Sequence, residues 1–372
     1  MRYLFACGGT AGHINPAVGI AGRLREKDGG AEFLFVGAEG RMETELVPRE
    51  GYPIRTVRID NMSRSVSLSG IRHNLRSARL LAGSLGEARR IIEEFRPDAA
   101  VGTGGYVCYP ALRAAHALGI PTLVHESNAA PGLTTRMLAR TVDAVLVGFE
   151  RAVENYPKNA NVLYTGTPVR TEFLTLDRAA ARKRLGIPED RKLLLSVWGS
   201  LGSGHINGLM PEFVRILESK RDFTLVHAAG KRYYAGLLAA CGAPEMRRRA
   251  ELREYIYDMP LWMAAADLVM CRSGASTLGE LSALGKASLL VPSPNVPGHQ
   301  QVKHARLMAD EGASKVLLEG QFDAAGLYRE AGELLSDKSR LAEMGRAARR
   351  CGVPDATERI AELVLEYARK HI

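Results

Sequence analysis

Tyr3-Leu4-Phe5-Ala6-Cys7-Gly8-Gly9-Thr10-Ala11-Gly12-His13 is an apolar run that breaks into glycines and then into an apolar helix from about Asn15. Glycines at such a break let the backbone approach a ligand closely, and the helix start offers unpaired N–H groups to an anion. The spacing fits neither GxGxxG nor a P-loop, because position 10 is Thr and no Lys follows Gly12. A tight strand-to-helix turn without a ligand would use the same glycines. His13 is the informative residue, since a bare turn does not require an imidazole.

The same alternation runs along the chain. Tyr3–Cys7, Glu32–Val36, Ala99–Gly102, Thr122–His125 and Ala144–Val147 read as strands separated by helical stretches. After Thr165-Gly166-Thr167-Pro168 the pattern restarts with Leu193–Val197, Thr224–Ala228, Leu268–Cys271, Ser288–Val291 and Ala313–Leu317. Alternating strands and helices predict an α/β chain of two doubly wound parallel sheets. The 372 residues exceed the ~250–300 at which one core stops growing. The turn-rich stretch 159–168 is the expected hinge. The expected divisions are an N-terminal domain over 1–162, a second over 163–350 and a C-terminal helix over 351–372. In that last segment Ile360, Leu363, Val364 and Tyr367 recur at helical spacing. Two such domains facing each other would leave a cleft at the carboxyl ends of both sheets.

Composition narrows the class. With 46% hydrophobic and 24% charged residues the chain is an ordinary globular protein, not a disordered one. No apolar run approaches the ~20 residues that span a bilayer. Leu4-Phe5-Ala6-Cys7 mimics a lipoprotein cleavage box but lacks an apolar signal core before it, so a buried strand is expected. Cys7, Cys108, Cys241, Cys271 and Cys351 are odd in number and dispersed, which favours a reducing cytoplasm over a disulfide framework or zinc site. The net charge of +9 points to a polyanionic partner: nucleic acid, anionic membrane or phosphates.

Further polar motifs follow other strands. Gly102-Thr103-Gly104-Gly105-Tyr106 is a second glycine turn, and His125-Glu126-Ser127-Asn128 ends the next strand, either as functional groups or as a satisfied structural pair. In the second half come Trp198-Gly199-Ser200-Leu201-Gly202-Ser203-Gly204 and Cys271-Arg272-Ser273-Gly274-Ala275-Ser276-Thr277-Leu278-Gly279-Glu280. Small and hydroxyl residues at a helix start suit a diphosphate, favoured by the helix dipole by ~0.3–1 kcal/mol when exposed. Glu280, about one turn in, can accept hydrogen bonds from a ribose diol. Pro294-Asn295-Val296-Pro297-Gly298-His299-Gln300-Gln301 ends in amides, which both donate to and accept from sugar hydroxyls.

Gly8-Gly9-Thr10-Ala11-Gly12-His13, Gly104-Gly105-Tyr106, His125-Glu126-Ser127-Asn128, Cys271-Arg272-Ser273-Gly274-Ala275 and Gln300-Gln301, in this order over nearly the whole chain, resemble glycosyltransferase family 28. The resemblance is to its inverting GT-B members that add N-acetylglucosamine to lipid I. It implies two Rossmann-like domains across a cleft, UDP-GlcNAc as donor, and lipid II as product of attack by the MurNAc 4-hydroxyl. By the same resemblance Thr10, Ala11 and Gly12 border the acceptor pyrophosphate and donor sugar, and Gly104, Gly105 and Tyr106 lie on the acceptor side. Asn128 contacts the donor sugar, Arg170 and Ser200 its diphosphate region, and Ile256 the uracil. Ala275, Ser276, Thr277, Leu278, Gly279 and Glu280 hold the α-phosphate and ribose, and Gln300 and Gln301 the sugar hydroxyls. The chain departs from the family at Ala11, at Trp198 to Leu201, at Pro297-Gly298 and at His304.

Displacement at the anomeric carbon needs a base for the attacking hydroxyl and positive electrostatics for the leaving diphosphate. His13, His125 and Glu126 are the candidates for the base; an imidazole ordinarily titrates near neutrality. No DxD-like acidic cluster is evident, so no metal and no cofactor is expected. Between positions 64 and 96, Arg64, Arg72, Arg76, Arg79, Arg89, Arg90 and Arg96 outnumber Glu87, Glu93 and Glu94, with Ile71, Leu75, Leu80, Leu81 and Leu85 interleaved. Apolar anchors among basic residues suit peripheral attachment to the anionic cytoplasmic membrane surface; a core helix with a solvated basic face would read the same. Cell-wall synthesis proteins are conceivable partners under the resemblance. The rival readings are another UDP-sugar transferase acting on a glycolipid, a UDP-sugar epimerase, a nucleotide-dependent oxidoreductase, and a nucleic-acid binder, for which no recognition motif is present.

Overall fold

The computed structural model describes residues 1–60 and 68–371, without the side chains of 68–76, 78, 297 and 371. Arg64 lies outside the described residues, as do the side chains of Ile71, Arg72, Leu75 and Arg76. Two compact units form, Met1–Thr171 with Asp355–Ile372, and Glu172–Pro354.

In the first unit the elements are β1 (Arg2–Ala6), α1 (Ala11–Lys27), β2 (Glu32–Ala38), α2 (Glu43–Arg49), β3 (Ile54–Val57), α3 (Leu68–Phe95), β4 (Ala99–Gly102) and α4 (Cys108–Ala117). They continue with β5 (Thr122–Glu126), α5 (Leu133–Leu138), β6 (Ala144–Val147) and β7 (Val162–Tyr164). The strands form one parallel sheet in the order β3-β2-β1-β4-β5-β6-β7. The stretch expected as a hinge therefore holds β7, the sheet's edge strand. Phe5, Leu123 and Leu146 are fully buried, as parallel strands covered on both faces must be. One face packs on Ala88, Ile91, Ala111 and Leu112 of α3 and α4. The other packs on Ile14, Ala17 and Leu24 of α1.

In the second unit α6 (Glu172–Thr175), α7 (Arg178–Leu185), β8 (Leu193–Val197), α8 (Gly204–Lys220), β9 (Thr224–Ala228), α9 (Tyr234–Cys241) and β10 (Ala250–Arg253) come first. Then follow α10 (Met259–Ala265), β11 (Leu268–Cys271), α11 (Ala275–Leu284), β12 (Ser288–Leu290), α12 (Gln300–Asp310), β13 (Ser314–Val316), α13 (Ala324–Ser336) and α14 (Lys338–Cys351). The sheet order is β10-β9-β8-β11-β12-β13, again parallel. The last helix, α15 (Ala356–His371), returns to the first unit and packs along α1. Its apolar spacing is explained there: Ile360 and Val364 are fully buried, a gain of ~1.5–3 kcal/mol for each side chain.

Each sheet reverses its winding once, between β1 and β4 and between β8 and β11. Ligands of doubly wound folds bind at these reversals, beyond the carboxyl ends of the strands. The loops after β1 and β4, and those after β8 and β11, are the glycine-rich stretches read from the sequence.

Candidate active site

At the first reversal, two glycine loops and one imidazole interlock. Gly8 N–H donates to Gly104 O at 3.2 Å, joining the loop after β1 to the loop after β4. His13, in the first turn of α1, donates from Nδ1 to Gly8 O at 2.8 Å. A carbonyl only accepts, so Nδ1 carries the proton and Nε2 keeps the lone pair in the neutral ring. The ring lies so close to Gly104 that a Cβ there would collide with its Cδ2, and Gly104 has φ +120°. Gly105, at φ +90°, would place a Cβ 2.5 Å from Gly8 O. Only glycine fits both positions. Thr103 Oγ1 donates to His13 O at 2.7 Å and closes the knot.

Thr10 is the exposed N-cap of α1 and makes no side-chain cap bond, and Ala11 and Gly12 open the helix half-buried beside it. The Tyr106 hydroxyl lies near Gly9 on the same side. Beneath them is a residue that sequence reasoning passed over. Glu43, fully buried at the start of α2, accepts from Gly9 N at 3.0 Å and from Ala38 N at 2.9 Å.

His125 and Glu126 sit at the end of β5, on the same sheet, with their polar atoms turned inward. His125 is fully buried; Nε2 donates to Gly166 O at 2.9 Å and Nδ1 meets Ser127 Oγ at 3.3 Å. Burial holds the imidazole below its ordinary pKa, against the opposing effects of the Gly166 carbonyl and Glu126. Glu126 Oε1 accepts from Asn128 N at 3.0 Å and Asn128 Nδ2 at 2.8 Å; Oε2 accepts from Gly132 N at 2.8 Å and Thr135 Oγ1 at 2.9 Å. Both oxygens thus brace the loop carrying Asn128. Arg170 belongs to this unit as well, largely buried and paired with Glu50 at 3.1 Å.

The second unit brings Ser200, Ala275 to Glu280, Gln300 and Gln301 to the loops around its own reversal. No side chain caps α11, whose N-cap is Gly274, whereas Ser203 caps α8. Ser276, Thr277 and Gly279 are half-buried and Glu280 is buried. Ser273 Oγ donates to Gln301 O at 2.7 Å, and Gln301 Oε1 accepts from Ser293 N at 2.8 Å, which ties the start of α12 to the loop before α11 and to the loop after β12. Ile256 is buried just after β10.

Two anchors here, Arg272 and Trp198, stand inside motifs quoted from the sequence but are assigned no role there. Arg272 donates to Ser203 Oγ at 2.9 Å, Val291 O at 2.9 Å and Glu319 Oε1 at 2.5 Å, clamping several strand ends. Below the Ser200 loop, Trp198 Nε1 donates to Ser196 Oγ at 2.8 Å and Ser196 Oγ meets His227 Nδ1 at 2.8 Å. His227 Nε2 meets Asn207 Oδ1 at 3.1 Å, and Asn207 Nδ2 donates to Ser203 O and Ala229 O. Trp198 and Asn207 Nδ2 can only donate, so every proton in the row runs one way, with Nε2 of a neutral His227 protonated. Burial drives that histidine's pKa down to about 3.

Two reversals with uncapped or glycine-lined helix starts, one carrying an ordered imidazole, give each unit a place for an anionic ligand. Residues 3–147 match the glycosyltransferase family 28 N-terminal domain and residues 194–360 its C-terminal domain, so the chain belongs to glycosyltransferase family 28. A relative from Acetivibrio thermocellus, 40% identical over 99% of both chains, is named UDP-N-acetylglucosamine--N-acetylmuramyl-(pentapeptide) pyrophosphoryl-undecaprenol N-acetylglucosamine transferase. A Bacillus cereus relative, numbered 1 under the same name, is 36% identical over 100% of both chains. The crystal structure of Acinetobacter baumannii MurG aligns with a TM-score of 0.69 at 27% identity, covering 98% of this chain and 99% of that one.

Proposed function

We propose that this protein transfers N-acetylglucosamine from UDP-GlcNAc to the MurNAc 4-hydroxyl of undecaprenyl-pyrophosphoryl-MurNAc-pentapeptide (lipid I), forming lipid II with inversion at the anomeric carbon. The full-length relation to transferases of that name carries the reading. The chemistry is assigned to His13. Its Nε2 takes the proton of the attacking hydroxyl while the anomeric C–O bond to UDP breaks. The Nδ1 bond to Gly8 O supports this role, because it leaves the basic nitrogen to the acceptor side. His125 and Glu126, whose polar atoms are engaged inside the unit, serve as positioning groups, Glu126 for Asn128 and His125 for Ser127 beside it.

Thr10, Ala11 and Gly12 border the acceptor pyrophosphate and the donor sugar, with Gly104, Gly105 and Tyr106 on the acceptor side. UDP lies on the second unit: Ser200 and the start of α11 take the diphosphate, Glu280 the ribose and Ile256 the uracil. Gln300, Gln301 and Asn128 take the sugar, and Arg170 supports the departing charge. Helix dipoles and hydroxyls carry the electrostatic load, so the scheme needs no metal.

The acceptor's long lipid tail requires work at the membrane surface. No helix among the described residues is long and apolar enough to cross a membrane. Attachment is therefore assigned to α3 and its neighbours. Arg79, Arg89, Arg90 and Arg96 are exposed, while Leu81 packs partly on the core and Leu80 and Leu85 are half-buried. Helix α4 packs between α3 and α5, and α5 exposes Leu133 at 57% and Met137 at 47% beside Arg136.

Radiolabelled UDP-sugars are offered with a lipid I analogue, with diacylglycerol, and with no acceptor. UDP-GlcNAc with lipid I alone should give product. Transfer to diacylglycerol would favour a glycolipid synthase, and epimerised donor without acceptor a UDP-sugar epimerase.

A further inference from the structure

Glu43 is a fully buried acid to which no basic side chain is bonded among the described residues; both its oxygens accept backbone N–H groups, from Gly9 and Ala38. A buried carboxylate is costly unless hydrogen-bonded, so its place under a functional loop calls for a reason. The fold is shaped around it. A Cβ on Gly8 would collide with Glu43 Oε1, and one on Gly37 would lie 2.5 Å from Glu43 Cγ. Two glycines therefore make room for one side chain.

The bonded groups lie in a row. Gly9 N–H and Gly8 C=O are the two ends of a single peptide unit. Its N–H donates to Glu43 Oε2 at 3.0 Å, and its C=O accepts from His13 Nδ1 at 2.8 Å. A charge-assisted bond at the nitrogen draws the amide dipole toward the carboxylate and makes the oxygen a stronger acceptor. The imidazole at the far end is then held with its proton on Nδ1. The arrangement corresponds to a carboxylate orienting a histidine, with one peptide group inserted between them.

We propose that Glu43 is a positioning residue for His13: its carboxylate acts through the Gly8–Gly9 peptide to lock the Nδ1–H tautomer and leave the Nε2 lone pair for the acceptor hydroxyl. The inference rests on His13 being the base, and two readouts separate the two ideas. Long-range ¹H–¹⁵N spectra of the full chain, with His13 assigned by its loss in His13→Ala, read the tautomer directly. The wild type should show Nδ1–H, and Glu43→Gln should populate Nε2–H. An unchanged tautomer in a folded Glu43→Gln protein overturns the proposal whether or not His13 is the base. Should Glu43→Gln fail to fold, Glu43→Asp, one methylene shorter, takes its place with the same expectation.

The second readout is a double-mutant cycle on kcat. Glu43→Gln should lower kcat by about 10–100-fold with little change in KM for UDP-GlcNAc. In a His13→Ala background it should cost no more than about twofold, because its effect passes through the ring. An equal loss in both backgrounds would mean that Glu43 supports the loop alone, and the relay would be wrong. If His13→Ala by itself keeps full kcat, the base assignment falls, and the tautomer spectra still decide the relay.

Discussion

His227 should make the second unit acid-sensitive by an amount that can be worked out. The imidazole is fully buried, and burial lowers its pKa to about 3. Unfolded, it titrates at its ordinary ~6.5. Between those values the unfolded chain binds a proton that the folded one refuses, so stability rises with pH across the window. Its contribution is complete above ~6.5 and is lost as the pH falls toward ~3. A span of ~3.5 units at ~1.4 kcal/mol each is ~5 kcal/mol in all, of which ~2 kcal/mol is gone by pH 5. The chain's 2 tryptophans, Trp198 and Trp262, both lie in the second unit, so their fluorescence follows that unit alone during urea unfolding. His227→Gln removes the titration. The fall in stability from pH 7 to pH 5 should be smaller in the variant by about 2 kcal/mol. If both proteins lose the same amount, the one-way row from Trp198 to Asn207 does not hold a neutral imidazole, and the account of how the Ser200 loop is supported is wrong.

Three further outcomes are expected. Glu280→Ala should weaken UDP binding by ~1–3 kcal/mol, as for lost hydrogen bonds to a charged group, and calorimetry on a folded variant with unchanged affinity would remove Glu280 from the ribose site. His13→Ala should lower kcat by ~10²–10⁴-fold while leaving UDP affinity nearly intact; a loss within about threefold in steady-state assays would exclude the general-base role. Co-sedimentation with anionic vesicles should fall with Leu80→Glu and with added salt, at ~1 kcal/mol per basic residue near the surface. Indifference to both would reject attachment through α3.

Much of the fold was legible because parallel strands covered on both faces are continuous apolar runs. β1, β4, β5, β6, β8 and β11 announce themselves in this way. The strands absent from the sequence reading, β3, β7 and β10, are all sheet edges. In β10 buried Ala250 and Leu252 alternate with exposed Glu251 and half-exposed Arg253, and in β3 Arg55 and Thr56 face outward. Three or four such residues resemble a loop. The glycine loops were legible too, since a left-handed backbone or a close approach leaves glycine as the residue that fits.

The sequence by itself determined the α/β alternation, the family resemblance and the identity of the residues at the strand ends. Those features are local: an apolar period, a glycine, a helix start. Tertiary structure decided which residues support them. Glu43 lies 34 positions from Gly9 and Arg272 lies 69 from Ser203, yet each bonds directly to the loop it holds. It also put the Nδ1 of His13, and not its Nε2, against Gly8 O, while His125, a rival candidate on paper, is closed in by Gly166 and Ser127. A side chain's hydrogen-bond partners depend on where the sheet order brings distant segments together, and no local pattern encodes that meeting.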